Sequence, residues 1–408
     1  MKIKFCRNCK SANLRKLFSL GRLKFTGKFL LKNKFIPSGV LELIICKNCK
    51  LVQLRDNFNP SYMYNNEYGY RTGINLTMTN HVKKVVNKLT KIASIKKNEA
   101  VLDIASNDAT LLNFYNKRSI TTFGIDPLVN KFIKKYRKIT YKTSNFFNFK
   151  SVNSVCPNIK FKIITALSVF YDLEEPNLFL GDIKKLLHPE GLLYIEFADL
   201  KSIIQQNMFD TICHEHLEYY SSTVLINMLK NHNLRLFEQE YNTINGGSSA
   251  YYICHDQAQY ISNQKKIINI LKEEKKLGLS SFSTFINFKK KIDIIKLKLN
   301  LILKRLVNKK NKTVHAYGAS TKGNVLLQYF KINSKILNYV AERNPIKYNL
   351  YTPGSNIKII SEKKSRSLKP DYYLVLPWHF RKEILKREFL VRKKGTKFIF
   401  PLPKVEIL

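Results

Sequence analysis

Four cysteines stand in two pairs, Cys6-x2-Cys9 and Cys46-x2-Cys49, with the turn residues Gly21, Gly27, Pro37 and Gly39 between them. Each pair reads as a knuckle. Two knuckles supply the four thiolates of a closed tetrahedral zinc site, with no ligand position left for water or substrate. Zn2+ at Cys6, Cys9, Cys46 and Cys49 is therefore expected to be structural. The other three of the seven cysteines, Cys156, Cys213 and Cys254, lack such spacing and read as buried small residues. An odd cysteine count with four residues committed to metal fits a reducing compartment.

Other residues could bind a ligand and move protons. Asp103-Ile104-Ala105-Ser106-Asn107-Asp108-Ala109 follows one apolar run, Asp126-Pro127 closes the next, and His214-Glu215-His216 comes later. A neutral imidazole accepts a proton near pH 7, so a histidine within hydrogen-bond reach of a substrate C–H can serve as a general base. In an extended segment alternate side chains share a face, which would point His214 and His216 together and Glu215 away. A zinc site or a structural cap is the other use of such a His-x-His.

These groups need a scaffold. From about Glu99 strand-like and helix-like stretches alternate, the pattern of a mainly parallel sheet covered by helices. Strands are expected at Ala100–Ala105, Thr122–Ile125, Lys162–Ser168, Gly191–Phe197, Leu234–Glu240 and Ala250–Cys254. Helices are expected at Ala109–Asn116, Leu128–Tyr136, Pro176–Leu187 and Thr223–Asn231. Two successive strands after the last helix suit the sheet of a class I methyltransferase. The turn after the first strand then lies at the carboxyl edge, where α/β folds bind cofactors. Asp126 can accept hydrogen bonds from both ribose hydroxyls of S-adenosylmethionine, as an acid does on the ribose of NAD. The expected cofactor-binding set is Asp103, Ala105, Ser106, Asn107, Asp126 and Pro127. The plainer alternative is that both acids cap ordinary turns.

Residues 257–311 are lysine-rich with apolar residues at helical spacing and read as connecting helices. Beyond them Val314–Tyr317, the turn Gly318-Ala319-Ser320-Thr321-Lys322-Gly323, a helix over Asn324–Phe330 and a strand over Ile336–Ala341 ending at Glu342 repeat the scheme of Val101–Pro127. Backbone N–H groups in that turn could hold an anion such as a diphosphate, with Lys322 adding a charge; Ser320 and Lys322 are the expected substrate contacts. Strands at Tyr372–Leu376 and Lys397–Phe400 with a helix containing Arg381–Arg387 complete a small α/β unit. The expected organisation is a zinc-binding module over 1–69, a Rossmann-like methyltransferase domain over 70–256, connecting helices over 257–311 and a C-terminal Rossmann-like α/β domain over 312–408.

The 71 Lys and Arg against 29 Asp and Glu give a net charge of +42. That favours anionic partners, but the lysines are spread over the whole chain, so no specific nucleic acid is expected. No run approaches the roughly 18 apolar residues of a membrane span, and Met1–Lys10 lacks the apolar core of a secretory signal. A cytoplasmic protein without a membrane partner is expected.

The segments 101–112, 124–127, 209–220, 245–248 and 317–324, together with the cysteine pairs, resemble in residues and order the zinc-containing sugar C-methyltransferases that build branched deoxysugars on nucleotide carriers. The resemblance implies an S-adenosylmethionine-dependent C-methyltransferase of polysaccharide biosynthesis acting on a nucleotide-linked keto-deoxysugar. It implies His216 as the base that removes the proton beside the ketone, Glu215 orienting it or holding a sugar hydroxyl, His214 in support, and Tyr70, from the cluster Tyr62, Tyr64, Tyr68 and Tyr70, over the active site. Two departures stand out. The family usually has glycine where this chain has Ala105 and Ala109, and commonly tyrosine where it has Cys213. The alternatives are a zinc-ribbon RNA-binding methyltransferase and a catalytically inactive scaffold.

Overall fold

The computed structural model describes residues 1–32, 34–65, 67–115 and 119–408. Its central sheet has seven strands, in the order Leu234–Asn242, Ser248–His255, Leu187–Phe197, Phe161–Leu167, Ala100–Ile104, Thr121–Ile125, Tyr141–Thr143. From Leu187–Phe197 to Tyr141–Thr143 every pairing is parallel. Ser248–His255 is antiparallel to both neighbours. This is the class I methyltransferase fold. The chain leaves Ala100–Ile104 toward one edge and returns on the other side at Phe161–Leu167, creating the switch point where open α/β sheets bind ligands.

Parallel strands covered on both faces are apolar throughout, and every residue of Ala100–Ile104 is buried. Asp103 is the polar exception. It is opposite Thr165 in the ladder, and the Thr165 hydroxyl donates to its Oδ1 at 2.6 Å.

An N-terminal antiparallel sheet joins Leu14–Lys24, Ser38–Cys46 and Val52–Leu54 to Glu218–Tyr219, a strand contributed from far downstream. The C-terminal sheet runs Ile359–Ser361, Val340–Glu342, Val314–Tyr317, Tyr372–Val375, Lys397–Phe400, Glu406–Ile407. It is parallel except at its last strand, the expected Rossmann-like unit, with its own switch point between Val314–Tyr317 and Tyr372–Val375. Helices Gln264–Leu277 and Phe282–Lys304 connect the two larger sheets in sequence. The second buries Phe285, Phe288, Ile292, Ile295 and Leu299 in a core shared by the N- and C-terminal sheets.

Three elements differ from expectation. Ala109–Asn116 is no α-helix: a short 3-10 turn, Leu112–Phe114, occupies it, and Asn116 lies outside the described residues. The reason is local, since Asn107 and Ala109 take φ of 49° and 56°, outside helical backbone. The stretch Leu128–Tyr136 narrows to a 3-10 segment, Asn130–Tyr136, broken at Phe132. The strand expected over Ile336–Ala341 shortens to Val340–Glu342.

Ala105 also has positive φ, 57°. An L side chain there costs roughly 1–2 kcal/mol, and glycine's greater freedom in the unfolded chain offsets about 0.4–1 kcal/mol of any gain. Ala105→Gly is therefore expected to stabilise the protein by about 0.5–1 kcal/mol, read as a higher urea midpoint. The buried Ala109 should gain less, because glycine also forfeits its methyl contacts.

Candidate active site

The carboxyl edges of the central and C-terminal sheets face one cleft of about 800 Å3, lined by Asp103–Asn107, Asp126, Glu215, His216, Ser320 and Lys322 among others. Residues about two hundred positions apart in sequence thus share one wall.

The cofactor side is built from the turn after Ala100–Ile104. The Asp126 carboxylate accepts from the Asn107 N–H at 3.0 Å and from the Leu128 N–H at 2.6 Å. Burial raises its pKa, and these bonds pull it back. Burial also lifts Asp103 to about 7, against the opposing bond from Thr165. Ser106 Oγ donates to Tyr136 Oη at 2.7 Å, and that phenol donates to the Asn107 carbonyl at 2.9 Å. Asp108 anchors the turn outward, accepting from Arg71 Nε at 3.0 Å and the Gly73 N–H at 3.1 Å. All six residues expected to bind cofactor line the cleft. A buried acid closing the second strand, beside a turn of positive-φ residues on the cleft, fits the adenosyl half of S-adenosylmethionine.

The His-Glu-His segment is a turn, with the His216 N–H donating to the Cys213 carbonyl at 3.2 Å. The expected alternation therefore fails. Glu215 and His216 line the cleft together, while His214 is fully buried elsewhere, its ring 4.6 Å from Phe25 and 4.9 Å from Phe58 between centroids. Burial pushes His214 down to about 4, so it sits there as a neutral packing residue. Cys213 is fully buried and outside the cleft lining. Cys254 is buried as expected, whereas Cys156 is only half-buried.

His216 Nδ1 lies 2.7 Å from the Thr211 carbonyl oxygen. A carbonyl can only accept, so Nδ1 carries the proton and Nε2 keeps its lone pair. The ring leans on Tyr171 at 4.2 Å between centroids. Burial, then the positive charge of Lys322, lowers its pKa to about 3, with the Thr211 bond opposing. Glu215 is buried, which raises its pKa. Thr26 Oγ1 donates to it at 3.4 Å. A Cβ on Gly27 would come within 2.5 Å of Glu215 Oε1, so that close approach needs glycine.

Of the tyrosine cluster, Tyr64, Tyr68 and Tyr70 line the cleft and Tyr62 does not. Tyr70 keeps 46% of its surface accessible. Tyr64 Oη donates to Asp172 Oδ2 at 2.7 Å.

The C-terminal wall repeats the cofactor turn. Glu342, at the end of its strand, accepts from the Ala319 N–H at 2.6 Å and from the Arg343 and Asn344 N–H groups at 2.8 Å. Ser320 caps helix Thr321–Phe330, its Oγ accepting from the Gly323 N–H at 3.0 Å. Arg343, Arg387 and His379 complete the wall. Asp172 and His379 were missed in the sequence. Each follows the carboxyl end of a parallel strand, Phe161–Leu167 and Tyr372–Val375, and a search of every such end would have found them.

Outside the cleft lining, the sulfur atoms of Cys6, Cys9, Cys46 and Cys49 all lie within 4.8 Å of one another. The Cys6–Cys49 and Cys9–Cys46 separations are 3.5 Å, close to the roughly 3.8 Å edge of a tetrahedron with 2.3 Å zinc–sulfur bonds. The four thiols fit zinc. Gln53 Nε2 donates to Cys6 Sγ at 3.2 Å and supports the set. Among the described residues no helix is long and apolar enough to cross a membrane.

Three family profiles match the chain in succession: a zinc binding domain over residues 6–64, a methyltransferase domain over 75–239 and a C-methyltransferase C-terminal domain over 243–403. The C-methyltransferase NovU of Streptomyces niveus is 24% identical over 369 residues, covering 90% of this chain and 87% of that protein. Among solved structures, the magnesium protoporphyrin IX methyltransferase ChlM of Synechocystis PCC 6803 with bound S-adenosylhomocysteine is 13% identical, covering 46% of this chain and 90% of its own with a TM-score of 0.35. A 1,6-didemethyltoxoflavin-N1-methyltransferase of Burkholderia thailandensis is 10% identical, covering 43% and 79% with a TM-score of 0.33. With a zinc-binding module, a class I methyltransferase sheet and a C-methyltransferase C-terminal domain in this order, the chain belongs to the S-adenosylmethionine-dependent C-methyltransferases.

Proposed function

We propose that the chain methylates the carbon beside the carbonyl of a nucleotide-linked keto-deoxysugar, with His216 as the base that removes the proton. The observation that carries this reading is the His216 tautomer: Nδ1–H is tied to the Thr211 carbonyl, leaving Nε2 to accept on a ring that lines the cleft. S-adenosylmethionine, when bound, supplies an electrophilic methyl group. The protein's own task is to make a carbon nucleophile and keep it from reprotonation by water. Glu215, raised by burial, is suited to hold a sugar hydroxyl beside the base, and Tyr70 lines the cleft from the tyrosine segment. His214 supports the turn from outside the cleft, through its aromatic contacts and its Nε2 contact to the Gly39 carbonyl at 3.4 Å.

Two features support a nucleotide carrier. Glu342 accepts the N–H of its neighbouring turn just as Asp126 does, so each wall of the cleft carries an acid of the ribose-binding kind. Arg343 and Arg387, both held by Glu383 at 3.4 and 3.0 Å, offer guanidinium N–H donors along the C-terminal wall, which also carries the Ser320 hydroxyl. In D2O, with S-adenosylhomocysteine in place of the methyl donor, the protein is expected to exchange the α-proton of thymidine diphosphate 4-keto-6-deoxyglucose, followed by mass spectrometry. Absence of exchange, with the full reaction mixture also leaving the sugar unmethylated, would remove that substrate class.

Asp126→Ala should weaken S-adenosylmethionine binding by about 1–3 kcal/mol, the usual worth of hydrogen bonds to a charged acceptor, and should also lower stability, because the Asn107 and Leu128 N–H groups lose their buried acceptor. Calorimetry showing the parent affinity would refute the ribose assignment.

A further inference from the structure

Lys322 follows the first residue of helix Thr321–Phe330, where a phosphate cradle would be sought. The turn around it is poorly disposed for that use. Its Ala319 N–H donates to Glu342 at 2.6 Å and its Gly323 N–H to Ser320 at 3.0 Å, so two donors are spent and a carboxylate sits among them. The Lys322 side chain instead crosses toward the central sheet, where Nζ donates to the Asn245 carbonyl at 3.0 Å. Asn245 lies in the short connection between the central strands Leu234–Asn242 and Ser248–His255, and both residues line the cleft.

His216 and His379 line the same cleft as this ammonium and feel its positive charge, and the buried Asp210 and Cys213 act on the ammonium in turn. Asp210 immediately precedes Thr211, whose carbonyl holds His216, and its Oδ2 accepts from Trp378 Nε1 at 2.8 Å. The Asn245 loop that holds the ammonium packs on Trp378 through Gly246, so the positive charge and the base belong to one connected wall of the cleft.

We propose that the Lys322 ammonium meets the carbonyl oxygen of the sugar and holds the negative charge that appears there when the neighbouring carbon loses its proton. The inference rests on the reading of His216 as the base. In the step, Nε2 of His216 takes the proton, the C–H electron pair becomes the carbon–carbon double bond, and the carbonyl π pair moves to oxygen. The enolate oxygen then faces Lys322. When the carbon–carbon π pair then forms the bond to the methyl carbon, the oxygen pair restores the carbonyl and the carbon–sulfur pair stays on the departing thioether sulfur. A fixed charge aimed where charge develops is the usual device for such steps. It also resolves a difficulty, because His216 is a weak base when its neighbour is a cation, and a weak base can ionise a C–H only if the product oxyanion is stabilised in place. The same residue that depresses the base thus lowers the energy of what the base makes.

The test uses the full chain as the parent, Lys322→Met and His216→Asn, with thymidine diphosphate 4-keto-6-deoxyglucose as the probe. Lys322→Met should lower both α-deuterium exchange and kcat by about 10²–10³-fold, the range for losing one oxyanion donor, while the affinity for the nucleotide portion, measured with thymidine diphosphate, stays within threefold. A raised Kd for thymidine diphosphate with kcat retained would make Lys322 a phosphate contact and overturn the proposal. Exchange by Lys322→Met at the parent rate, when His216→Asn has lost it, would overturn the proposal alone. Equal exchange by parent and His216→Asn would sink the base assignment instead. Independently of substrate, the imidazole of His216 should titrate at higher pH in Lys322→Met when followed by NMR. An unmoved titration would show that the two groups are not neighbours.

Discussion

His216→Asn is expected to bind S-adenosylmethionine and nucleotide-sugar almost as the parent does, yet to lose about two to four orders of magnitude in turnover, the usual worth of a positioned general base. Asparagine keeps an N–H donor near the Thr211 carbonyl, so the turn that carries residue 216 should survive. What disappears is the acceptor lone pair that this carbonyl fixes on Nε2. The loss must fall on proton removal, so α-deuterium exchange without methyl donor should vanish along with methylation. His214→Asn gives the contrast. It should cost stability, because the His214 ring is fully buried against Phe25 and Phe58, while the folded fraction keeps near-parent kcat. Methylation by His216→Asn within threefold of the parent would take His216 out of the mechanism and bring forward Glu215, the buried acid beside it.

Zinc removal should have the second large effect, and it should reach the cleft without any zinc chemistry. Structural zinc contributes on the order of 10–16 kcal/mol of binding energy to folding in small thiolate modules, more than the small four-stranded N-terminal sheet can replace. From the cysteines a chain of contacts runs to the active turn. Gln53 donates to Cys6 and pairs with Glu218 across the sheet, and the Leu54 N–H donates to the Leu217 carbonyl at 2.8 Å. Arg7, inside the first knuckle, donates to the Leu54 carbonyl at 2.7 Å and lies 3.7 Å from Glu218, both side chains buried. Leu217 directly follows His216. We expect one zinc per chain by elemental analysis. We also expect Cys46→Ala or strong chelation to raise amide exchange first over residues 1–56 and 217–219, with methylation falling at least tenfold. Zinc-free protein with full activity, purified without chelator, would refute the structural role and the coupling together.

Much of this architecture was legible in residue order because it rests on local rules. Buried parallel strands announce themselves as apolar runs, and Ala100–Ile104, Phe161–Leu167 and Leu187–Phe197 fall where those runs stand. Metal ligands announce themselves by spacing, and the four sulfur atoms converge. Acids closing a strand were visible at Asp126 and at Glu342. Where the reading erred, the backbone departed from the repeating element assumed for it. His214, Glu215 and His216 were read with strand alternation but form a turn, which sends Glu215 and His216 to the cleft and His214 into an aromatic box. The helix read at Ala109 fails on positive φ at Asn107 and Ala109.

By itself, then, the sequence determined the zinc ligands, the alternating α/β scheme and the edge at which a cofactor could sit, since each depends on residues close together in the chain. Only the tertiary structure decided that two Rossmann-like edges face a single cleft, that Thr211 selects the tautomer of His216, and that Lys322 reaches across that cleft to the Asn245 carbonyl. Those facts depend on how separate elements pack against one another. No periodicity or spacing within a segment encodes the distance between its side chains and those of a segment a hundred residues away.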